Sequence, residues 1–372
     1  MRTLTINLDA VAQNLATIRE RAGGAKVMAV VKADAYGHGM VPVARRLEAE
    51  GVDYLGVADL GEAVQLRKAG VQTPILAWLH APKEDFRRAA EFGIDVSIAS
   101  VEQLNTALRT AAVQGRKLGL HLKLDTGLHR NGVPIEQWPA LVVAAKSAAE
   151  TGHVSIIGIF SHLSSTSTTD DTQQILKFEM ATAMAKAMGL EFQLRHLTAS
   201  DGSLSYPHAA YEMVRCGIAL YGLSPFSDNR GASYDLIPAM TAQSVVVQTK
   251  RVPDKTRIGY GLEYETNGES TLALVPIGYA EGLPRNASPR ARVLINGRLY
   301  RLSSRIAMDQ FVVDVGDDPI EVGDQVTLFG DPATGAPSAD DLANAAKTIN
   351  YEIVTRMGGR FERVYIGEVG AR

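Results

Sequence analysis

Short apolar runs alternate with amphipathic stretches over the first 235 residues of the chain. The first such run, Lys26–Val31, reads KVMAVV and predicts a buried strand. Met40–Ala49 has apolar residues at helical spacing and is followed by Gly51, which predicts a helix with a glycine stop. The same pattern predicts further strands at Tyr54–Ala58, Ile75–Leu79, Asp95–Ala99, Leu118–Leu124, Ser155–Phe160, Gln193–Leu197 and Val214–Leu220. It predicts further helices at Leu60–Ala69, Val101–Gln114, Ile135–Glu150 and Thr172–Met188.

This alternation favours a parallel sheet. Strands separated by helices of this length pair in parallel, because a tight turn cannot join parallel neighbours. Roughly eight strands in a segment of this length suit a closed (β/α)8 barrel, the TIM-barrel fold. We predict this barrel for residues 1–235, and a doubly wound open sheet remains the alternative.

The helical period nearly disappears after residue 235. Short β-rich runs bounded by Gly, Pro, Asn and Asp follow, among them Thr241–Lys250. Asn296-Gly297 predicts a hairpin, because a type I′ turn needs two residues that tolerate positive φ. One helix is predicted, with Ser338 as its N-cap and Leu342 on its apolar face. We therefore predict a mostly-β C-terminal domain over residues 236–372.

Composition narrows the class of protein. The chain has 372 residues, 46% of them hydrophobic and 21% charged, with a formal net charge of −3. This balance gives no electrostatic basis for binding nucleic acid or an anionic membrane, and no apolar run is long enough to span a bilayer. Cys216 is the only cysteine, so neither an intrachain disulfide nor a cysteine-based metal site is predicted. We expect a cytoplasmic protein without a metal site.

The first predicted strand ends in a lysine, Lys32. A lysine that follows an apolar run lies near the mouth of a barrel, where low polarity lowers the pKa of an ammonium group and frees a nucleophilic amine. Tyr36 follows four residues later, and Gly37 and Gly39 permit close approach of the backbone to a ligand. The alternative is a lysine that only extends its charge to solvent.

Polar side chains also follow the later strands. With the end of the first strand included, five strand ends carry His, Lys, Arg or Tyr, and such clustering at one rim is typical of a functional site. The polar residues on the four later strand ends are Lys123, Arg130, His162, His196, Ser200, Arg215 and Tyr221. The chain contains no Walker-A, G-x-G-x-x-G, H-E-x-x-H or G-x-S-x-G motif.

The motifs along the whole chain resemble those of alanine racemases, which are fold-type III enzymes that use pyridoxal phosphate (PLP). AVVKADAYGHG (29–39) resembles the cofactor-lysine signature of that family. The remaining motifs occur in the family's order and approximate spacing: LKLDTGLHR (122–130), FSHL (160–163), MVRCGIALYG (213–222), GYGLEY (259–264), VPIGYAEG (275–282), RIAMDQ (305–310), VGDQVTLFG (322–330) and INYEI (349–353). The family's fold is a barrel followed by a β domain.

The resemblance implies roles for the residues at the barrel mouth. Lys32 matches the lysine that attaches PLP covalently, and Arg215 matches the residue that faces the pyridine nitrogen. His196 is expected to hold Arg215, and His162 to lie close to the cofactor ring. The positions that match phosphate contacts in the family are Tyr36, Ser200, Gly217 and Ile218.

The resemblance also implies a homodimer with composite active sites and a small amino-acid substrate. Lys32 would serve one face of the substrate Cα, and Tyr260 of the second subunit would serve the other. Tyr279, Met308 and Asp309 match lining positions contributed by the second subunit. The substrate carboxylate is expected at Arg130 and at the Met308 N–H group.

Further residues match positions that tune the site. Lys123 matches a lysine that is carbamylated in some relatives and there positions the arginine equivalent to Arg130. Arg285 is a candidate to tune the pKa of Tyr260, because a tyrosine must be activated to work near neutrality.

The sequence departs from the family pattern at several positions. Gly359 stands where many members have a phosphate-binding tyrosine, Ala199 replaces an asparagine, and Ala307 replaces a cysteine. The loop SSTSTTDD after His162 is also unusual. These differences bear on substrate range rather than on reaction type.

We therefore expect a PLP-dependent racemase that interconverts L- and D-alanine and supplies D-alanine for peptidoglycan. A racemase of broader or different amino-acid range is one alternative, distinguished by assays on serine, lysine and alanine. A decarboxylase on the same two-domain plan would need a carboxylate in place of Arg215. A non-catalytic PLP-binding protein would show no exchange of the Cα proton with solvent.

Overall fold

The computed structural model describes residues 1–81, 83–226 and 234–367. The chain divides into two compact units. The barrel unit comprises Leu15–Ala35 and Val43–Leu220, and the C-terminal unit comprises Met1–Asn14, Tyr36–Pro42 and the chain from Tyr221 onward. Within the described ranges, no helix is both long and apolar enough to cross a membrane.

The barrel unit is built on an eight-stranded parallel sheet. Its strands are β2 (Lys26–Val30), β3 (Tyr54–Val57), β4 (Ile75–Ala77), β5 (Asp95–Ile98), β6 (Leu118–Lys123), β7 (Val154–Phe160), β8 (Leu194–His196) and β9 (Met213–Cys216). Strands β2 to β8 pair in chain order, and β9 pairs with β2. The Arg215 N–H group donates to the Thr198 carbonyl at 3.0 Å, which joins β9 to the residues just after β8. The predicted (β/α)8 barrel is confirmed, and the open-sheet alternative is wrong, because β9 both pairs with β2 and is hydrogen-bonded to the residues just after β8.

One helix precedes the first barrel strand, and the others connect the barrel strands in chain order. They are α1 (Leu8–Arg21), α2 (Lys32–Tyr36, a left-handed turn), α3 (Met40–Ala49), α4 (Leu60–Lys68), α5 (Arg87–Phe92), α6 (Val101–Gln114), α7 (Trp138–Glu150), α8 (Thr168–Ala187) and α9 (Ser200–Ser205). Local capping fixes several of their ends. In α6, for example, the Ser100 hydroxyl accepts from the Gln103 N–H group, and Gly115 ends the helix in the left-handed conformation.

The C-terminal unit contains mainly β-strands. They are β1 (Thr3–Asn7), β10 (Met240–Val245), β11 (Gln248–Val252), β12 (Arg257–Ile258), β13 (Tyr264–Glu265), β14 (Ser270–Val275), β15 (Arg292–Ile295), β16 (Arg298–Arg301), β17 (Phe311–Gly316), β18 (Gln325–Phe329) and β19 (Glu362–Ile366). Its helices are α10 (Ala339–Ala346) and α11 (Asn350–Arg356). The largest sheet has the order β16-β15-β18-β10-β1-β19, and smaller sheets are β11-β14-β17 and β12-β13.

The first strand of the chain lies in this C-terminal sheet. Strand β1 pairs antiparallel with β10 and parallel with β19, so both neighbours come from the far end of the sequence. The alternation of buried and half-buried residues in β1 fits a strand covered on one face. Sequence patterning gave no indication of this placement. The division at residue 235 stays a prediction.

Three details differ from the sequence predictions. The run Thr241–Lys250 is two strands, because β10 and β11 belong to different sheets. The predicted strand Val214–Leu220 stops at Cys216, and Ile218–Tyr221 forms a 3₁₀ turn. A second helix, α11, follows α10, which begins at the predicted Ser338 cap. The Asn296-Gly297 hairpin is confirmed between β15 and β16, with positive φ at both residues.

Candidate active site

Lys32 follows the β2 strand and begins a strained turn. Ala33, Asp34 and Ala35 have φ between 52° and 54°, in the left-handed region that non-glycine residues seldom occupy. The carboxylate of Glu62 supports this turn: one oxygen accepts from the Ala33 N–H group and the other from the Ala58 N–H group, each at 2.7 Å. Strain of this kind is concentrated at functional sites, where the surroundings hold it in place. Glu62 thus fixes the backbone at the lysine.

The environment of Lys32 favours a neutral amine. Burial and the charge of Arg130 lower the pKa of the Lys32 ammonium group, and the carboxylate of Glu62 opposes them. Lys32 Nζ also lies 5.9 Å from the centre of the Trp78 ring. A lysine with a lowered pKa presents a larger fraction of nucleophilic amine near neutrality.

Arg215, in β9, has a buried guanidinium with many hydrogen bonds. Nη1 donates to the His196 carbonyl at 2.6 Å, and Nη2 donates to the Ser161 and Leu197 carbonyls at 2.6 and 2.8 Å. Nη1 lies 3.3 Å from His196 Nδ1, and Nη2 lies 3.1 Å from His162 Nδ1. Within the described chain these contacts use the terminal nitrogens and leave Nε available to an acceptor.

The charge of this guanidinium persists near neutrality. Burial lowers the pKa of Arg215 to about 10, so the group stays protonated. Burial and the Arg215 charge lower the pKa of His162 well below its ordinary value. Burial, then His121 and Arg215, does the same for the pKa of His196. Since arginine only donates, the Nδ1 atoms of both neutral imidazoles accept its hydrogen bonds.

Backbone N–H groups converge on Ser200. The Gly217 and Ala219 N–H groups donate to Ser200 Oγ at 3.0 and 3.3 Å. Ile218, buried, begins the 3₁₀ turn between them. Thr198 Oγ1 is buried and has no hydrogen-bond partner in the described part of the protein. The segment therefore contains a hydroxyl group that can still donate to a bound oxygen, and the sequence analysis did not identify Thr198.

Lys123 is buried and sits among like charges. Burial, then the charges of Arg215, Arg130 and Lys32, lowers the pKa of Lys123 to about 7, and Asp125 opposes them. Lys123 Nζ lies 5.3 Å from the centre of the Phe160 ring.

Arg130 is exposed, on a loop that Asp125 holds. Asp125 Oδ1 accepts from the Gly127 and His129 N–H groups at 3.0 and 3.1 Å. The Asp125 backbone N–H group donates to the Val133 carbonyl at 3.0 Å.

These barrel residues fit the cofactor that the sequence motifs imply. Four cationic side chains act on one another here, namely Lys32, Lys123, Arg130 and Arg215. Such an excess of positive charge is stabilised by an anionic ligand. The available Nε of Arg215 suits a neutral ring nitrogen, and the orphaned hydroxyl of Thr198 suits a phosphate oxygen.

The other predicted residues belong to the C-terminal unit. Tyr36 is buried there, with ring centroids 5.0 Å from Tyr221 and 6.1 Å from Tyr351. Gly37 and Gly39 both have positive φ, and an added Cβ at Gly37 would lie 2.4 Å from the Val354 carbonyl oxygen. The backbone after Tyr36 therefore needs glycine for close packing.

Tyr260 lies on an exposed loop between β12 and β13. Its side chain is 72% exposed, although it is a large aromatic group. Gly259 and Gly261 flank it with positive φ, and a Cβ at Gly259 would lie 2.7 Å from Ser304 Cβ. Beside the loop, Arg305 pairs with Glu263. The charge of Arg285 acts on Glu263, which places that arginine near the same loop.

Tyr279 and Met308 are brought together by the backbone. The Tyr279 N–H group donates to the Ala307 carbonyl at 3.1 Å, and the Ala280 N–H group donates to the Met308 carbonyl at 3.0 Å. A Cβ on Gly278 would lie 2.2 Å from the Met308 oxygen, so only glycine permits this approach. The side chains of Tyr279 and Met308 are 42% and 54% exposed.

A charged cluster supports this pair. The carboxylate of Glu281 is fully buried, and it accepts from the Gly278 N–H group at 2.9 Å and from Arg360. Arg360 Nη2 also donates to Asp309 Oδ1 at 2.7 Å, and Arg2 Nε lies 3.9 Å from Glu281. Sequence reasoning missed Glu281 and Arg360, whose partners are distant along the chain.

The structure gives a physical reason for Gly359. Its φ is +61°, and a Cβ there would lie 2.5 Å from the Ala280 carbonyl oxygen. A tyrosine at this position would require the backbone to move. The next residue, Arg360, reaches Glu281 as a result of this close packing.

Comparison with known families settles the relationship. A model described as "Alanine racemase, N-terminal domain" matches residues 6–225, and one described as "Alanine racemase, C-terminal domain" matches residues 239–365. The chain belongs to the alanine racemase family. The resemblance read from the motifs is thereby confirmed, and the family's dependence on PLP agrees with the barrel residues.

Known members of the family match this chain over nearly its whole length. An alanine racemase from Thermobifida fusca is 45% identical over 369 residues, which cover 98% of each chain. The crystal structure of alanine racemase from D-cycloserine-producing Streptomyces lavendulae has a TM-score of 0.96 at 43% identity, covering 99% of this chain and 97% of that one. The alanine racemase structure from Streptomyces coelicolor A3(2) also has a TM-score of 0.96, at 42% identity, covering 99% and 98%.

Proposed function

We propose that this protein is a PLP-dependent alanine racemase that interconverts L- and D-alanine as a homodimer. The observation that carries the proposal is that one barrel carries, among its strand-end residues, a half-buried lysine of lowered pKa, Lys32, and a buried donor, Arg215. The first supplies an amine and the second a hydrogen bond for a ring nitrogen.

The barrel residues hold the cofactor in this proposal. Lys32 would attach it, Arg215 would offer its Nε–H group to the ring nitrogen, and His162 would lie beside the ring. Tyr36, Ser200, Gly217 and Ile218 would bind the phosphate. When bound, PLP supplies a conjugated ring that makes the Cα–H bond of an attached amino acid acidic.

Arg215 selects among the reactions open to such a cofactor. Its pKa of about 10 keeps the proton on the guanidinium near neutrality. Arg215 therefore gives the ring nitrogen a hydrogen bond but not a proton. By keeping its proton, Arg215 would favour return of a proton to Cα over transamination, because a cofactor ring that is not protonated would withdraw charge from Cα less strongly. A decarboxylase of this plan would need a carboxylate here.

Two groups move the proton. Lys32 Nζ accepts or donates it on one face of the substrate Cα, and Tyr260 of the partner subunit does so on the other. The 72% exposure of Tyr260 supports this role, because an exposed phenol on a glycine-flanked loop can enter another subunit's site. A positioned acid or base contributes ~10²–10⁴ in rate. Arg285, whose charge acts on Glu263 near this loop, is the proposed tuning residue.

The remaining residues bind the substrate. Arg130 and the Met308 N–H group bind the carboxylate, and Tyr279 and Asp309 line the site. The ion pair between Asp309 and Arg360 restricts the loop that carries Met308.

The proposed reaction supplies D-alanine for peptidoglycan, and we place it in the cytoplasm. Cys216 is buried and unpaired. A cysteine outside any disulfide is typical of proteins in a reducing compartment such as the cytoplasm.

The test is an absorption spectrum of the purified protein followed by a chiral assay. We expect a lysine-bound cofactor band and exchange between L- and D-alanine with deuterium uptake at Cα, faster than exchange of serine or lysine. Lys32→Ala should abolish the borohydride-trapped adduct. Lys26→Ala, which removes an exposed lysine at the opposite end of β2, should retain it. Release of carbon dioxide, or absence of deuterium uptake, would contradict the proposal.

A further inference from the structure

A chain of buried polar groups passes through the interior of the barrel. His121 Nδ1 lies 2.9 Å from His196 Nε2, and His196 Nδ1 lies 3.3 Å from Arg215 Nη1. In the other direction, His121 Nε2 lies 3.9 Å from Asp95 Oδ2, which accepts from the Tyr54 hydroxyl. Both imidazoles are fully buried. The chain thus links Asp95, at the start of β5, to Arg215, near the end of β9.

The hydrogen bonds in this chain have one direction. Arg215 can only donate, so His196 Nδ1 accepts and the proton of the neutral ring is on Nε2. His196 Nε2 then donates to His121 Nδ1, which places the His121 proton on Nε2. That N–H group has no hydrogen-bond partner in the described residues, and it faces the Asp95 carboxylate. Any other combination of tautomers at His121 and His196 would place two N–H groups opposite each other, with no acceptor between them.

Two glycines make room for the chain. An added Cβ at Gly158 would lie 2.6 Å from His121 Nδ1 and 2.8 Å from the Leu194 carbonyl oxygen. An added Cβ at Gly119 would lie 1.8 Å from Asp95 Oδ1. Apolar side chains such as Met28 and Leu76 occupy the neighbouring core. Glycine is therefore required at these two positions, because any larger side chain would overlap the polar groups.

The charge states agree with this direction. Burial, then the charge of Arg215, lowers the pKa of His121 to about 3, so the ring is neutral. Burial raises the pKa of Asp95 to about 6, against a hydrogen bond from Tyr54 and the charge of Arg67. At pH 7.5 this series of polar groups therefore has the Asp95 carboxylate at one end, the Arg215 guanidinium at the other, and two neutral imidazoles between them.

We propose that Asp95 and His121 are positioning residues for Arg215, acting through the tautomer of His196. A carboxylate facing His121 Nε2 holds the proton on that nitrogen, and this keeps an acceptor at His196 Nδ1 for the guanidinium. The consequence for the cofactor ring rests on the proposed function. The predicted tautomers of His121 and His196 do not depend on that function.

The experiment is ¹⁵N NMR of the holoenzyme labelled at histidine, at pH 7.5. We expect His121 and His196 to show a proton-bearing Nε2 and a proton-free Nδ1. Asp95→Asn can present either its oxygen or its amino group to His121. We therefore expect this variant to show a second tautomer at both histidines, an altered cofactor absorption band and a kcat about tenfold lower, the smaller end of the range for such supporting residues.

Two variants separate this effect from general loss of packing. Tyr54→Phe keeps the carboxylate and should leave both tautomers unchanged. Asp53→Asn removes a carboxylate that accepts only from the Val27 N–H group in the described structure, and it should change neither tautomers nor cofactor absorption. If Asp95→Asn fails to fold, His121→Asn replaces it, since it removes the group that faces Asp95 and should release the His196 tautomer.

A proton on His196 Nδ1 in the unmodified protein would overturn the proposal. So would an Asp95→Asn protein with unchanged tautomers and kcat. A protein with the expected tautomers that does not racemise alanine would refute the proposed function and leave the positioning of Arg215 standing.

Discussion

Lys123 and Arg215 lie in the same barrel, close enough for the Arg215 charge to act on the Lys123 ammonium group. Burial is the larger cause, and together with Arg215, Arg130 and Lys32 it lowers the pKa of Lys123 to about 7. About half of the side chains are then neutral amines at pH 7. A neutral amine adds to carbon dioxide, and the resulting carbamate would face Arg130 with a negative charge.

This arrangement predicts carbamylation of Lys123. With ¹³C-bicarbonate, we expect one bound carbamate signal that grows between pH 6.5 and 8, because deprotonation of the amine must precede addition. Lys123→Ala should abolish the signal. Lys117→Ala removes an exposed lysine next to the same strand and should retain it. A protein without the signal at pH 8 would show that the amine stays free.

Tyr260 should affect removal of the Cα proton from the two enantiomers of alanine unequally. Tyr260→Phe removes the proposed acid or base on one face of Cα only. We expect the step in which the phenol removes the Cα proton to slow by ~10²–10⁴, with a larger primary isotope effect for that enantiomer of deuterated alanine. Tyr264→Phe is the control in the same hairpin, since its hydroxyl donates to Asp314 at 2.8 Å. Equal isotope effects for both enantiomers would contradict the assignment.

Glu281 should matter more for stability than any exposed acid nearby. Its carboxylate is fully buried, so Glu281→Ala leaves the buried Gly278 N–H group without its acceptor and removes an ion-pair partner of Arg360 and Arg2. We expect a decrease of about 3 kcal/mol in the free energy of unfolding, measured with urea. Glu263→Ala breaks the exposed pair with Arg305 and should cost less than about 1 kcal/mol. If the two variants decreased the free energy of unfolding by similar amounts, the buried carboxylate of Glu281 would not contribute more to stability than an exposed one.

Asp95 should make stability depend on pH in a window between about 4 and 6. Its pKa is raised to about 6 in the fold, so the folded state binds one more proton than the unfolded state in this window. The stability that Asp95 contributes is therefore full below pH 4 and is lost as pH rises to 6. Relative to Asp95→Asn, the free energy of unfolding of the unmodified protein should decrease by on the order of 3 kcal/mol between about pH 4 and about pH 6. A curve of stability against pH for Asp95→Asn that runs parallel to that of the unmodified protein would contradict the raised pKa of Asp95.

The sequence predicted the barrel because its signals are local. Strand β2 is one apolar run, and the α10 helix has its Ser338 cap beside it in sequence. Lys32 could be singled out because a strand end fixes where a side chain emerges. The motifs then matched the family over both units.

The parts that escaped prediction depend on distant partners. Strand β1 finds both neighbours more than 230 residues away. Glu62 supports the Lys32 turn from another helix, and its capping pattern after Asp59 was a usable local signal. His121 reads as one polar residue in an apolar strand, and only the barrel brings it against His196.

The most direct test of the account mixes two inactive proteins. Lys32→Ala removes the amine, and Tyr260→Ala removes the phenol from an exposed loop. If each active site takes Lys32 from one subunit and Tyr260 from the other, a heterodimer has one intact site and one doubly defective site. After equal amounts are unfolded and refolded together with PLP, we expect about a quarter of the sites to be active, from random pairing in a two-fold dimer. Activity no higher than the sum of the separate variants would contradict the composite site.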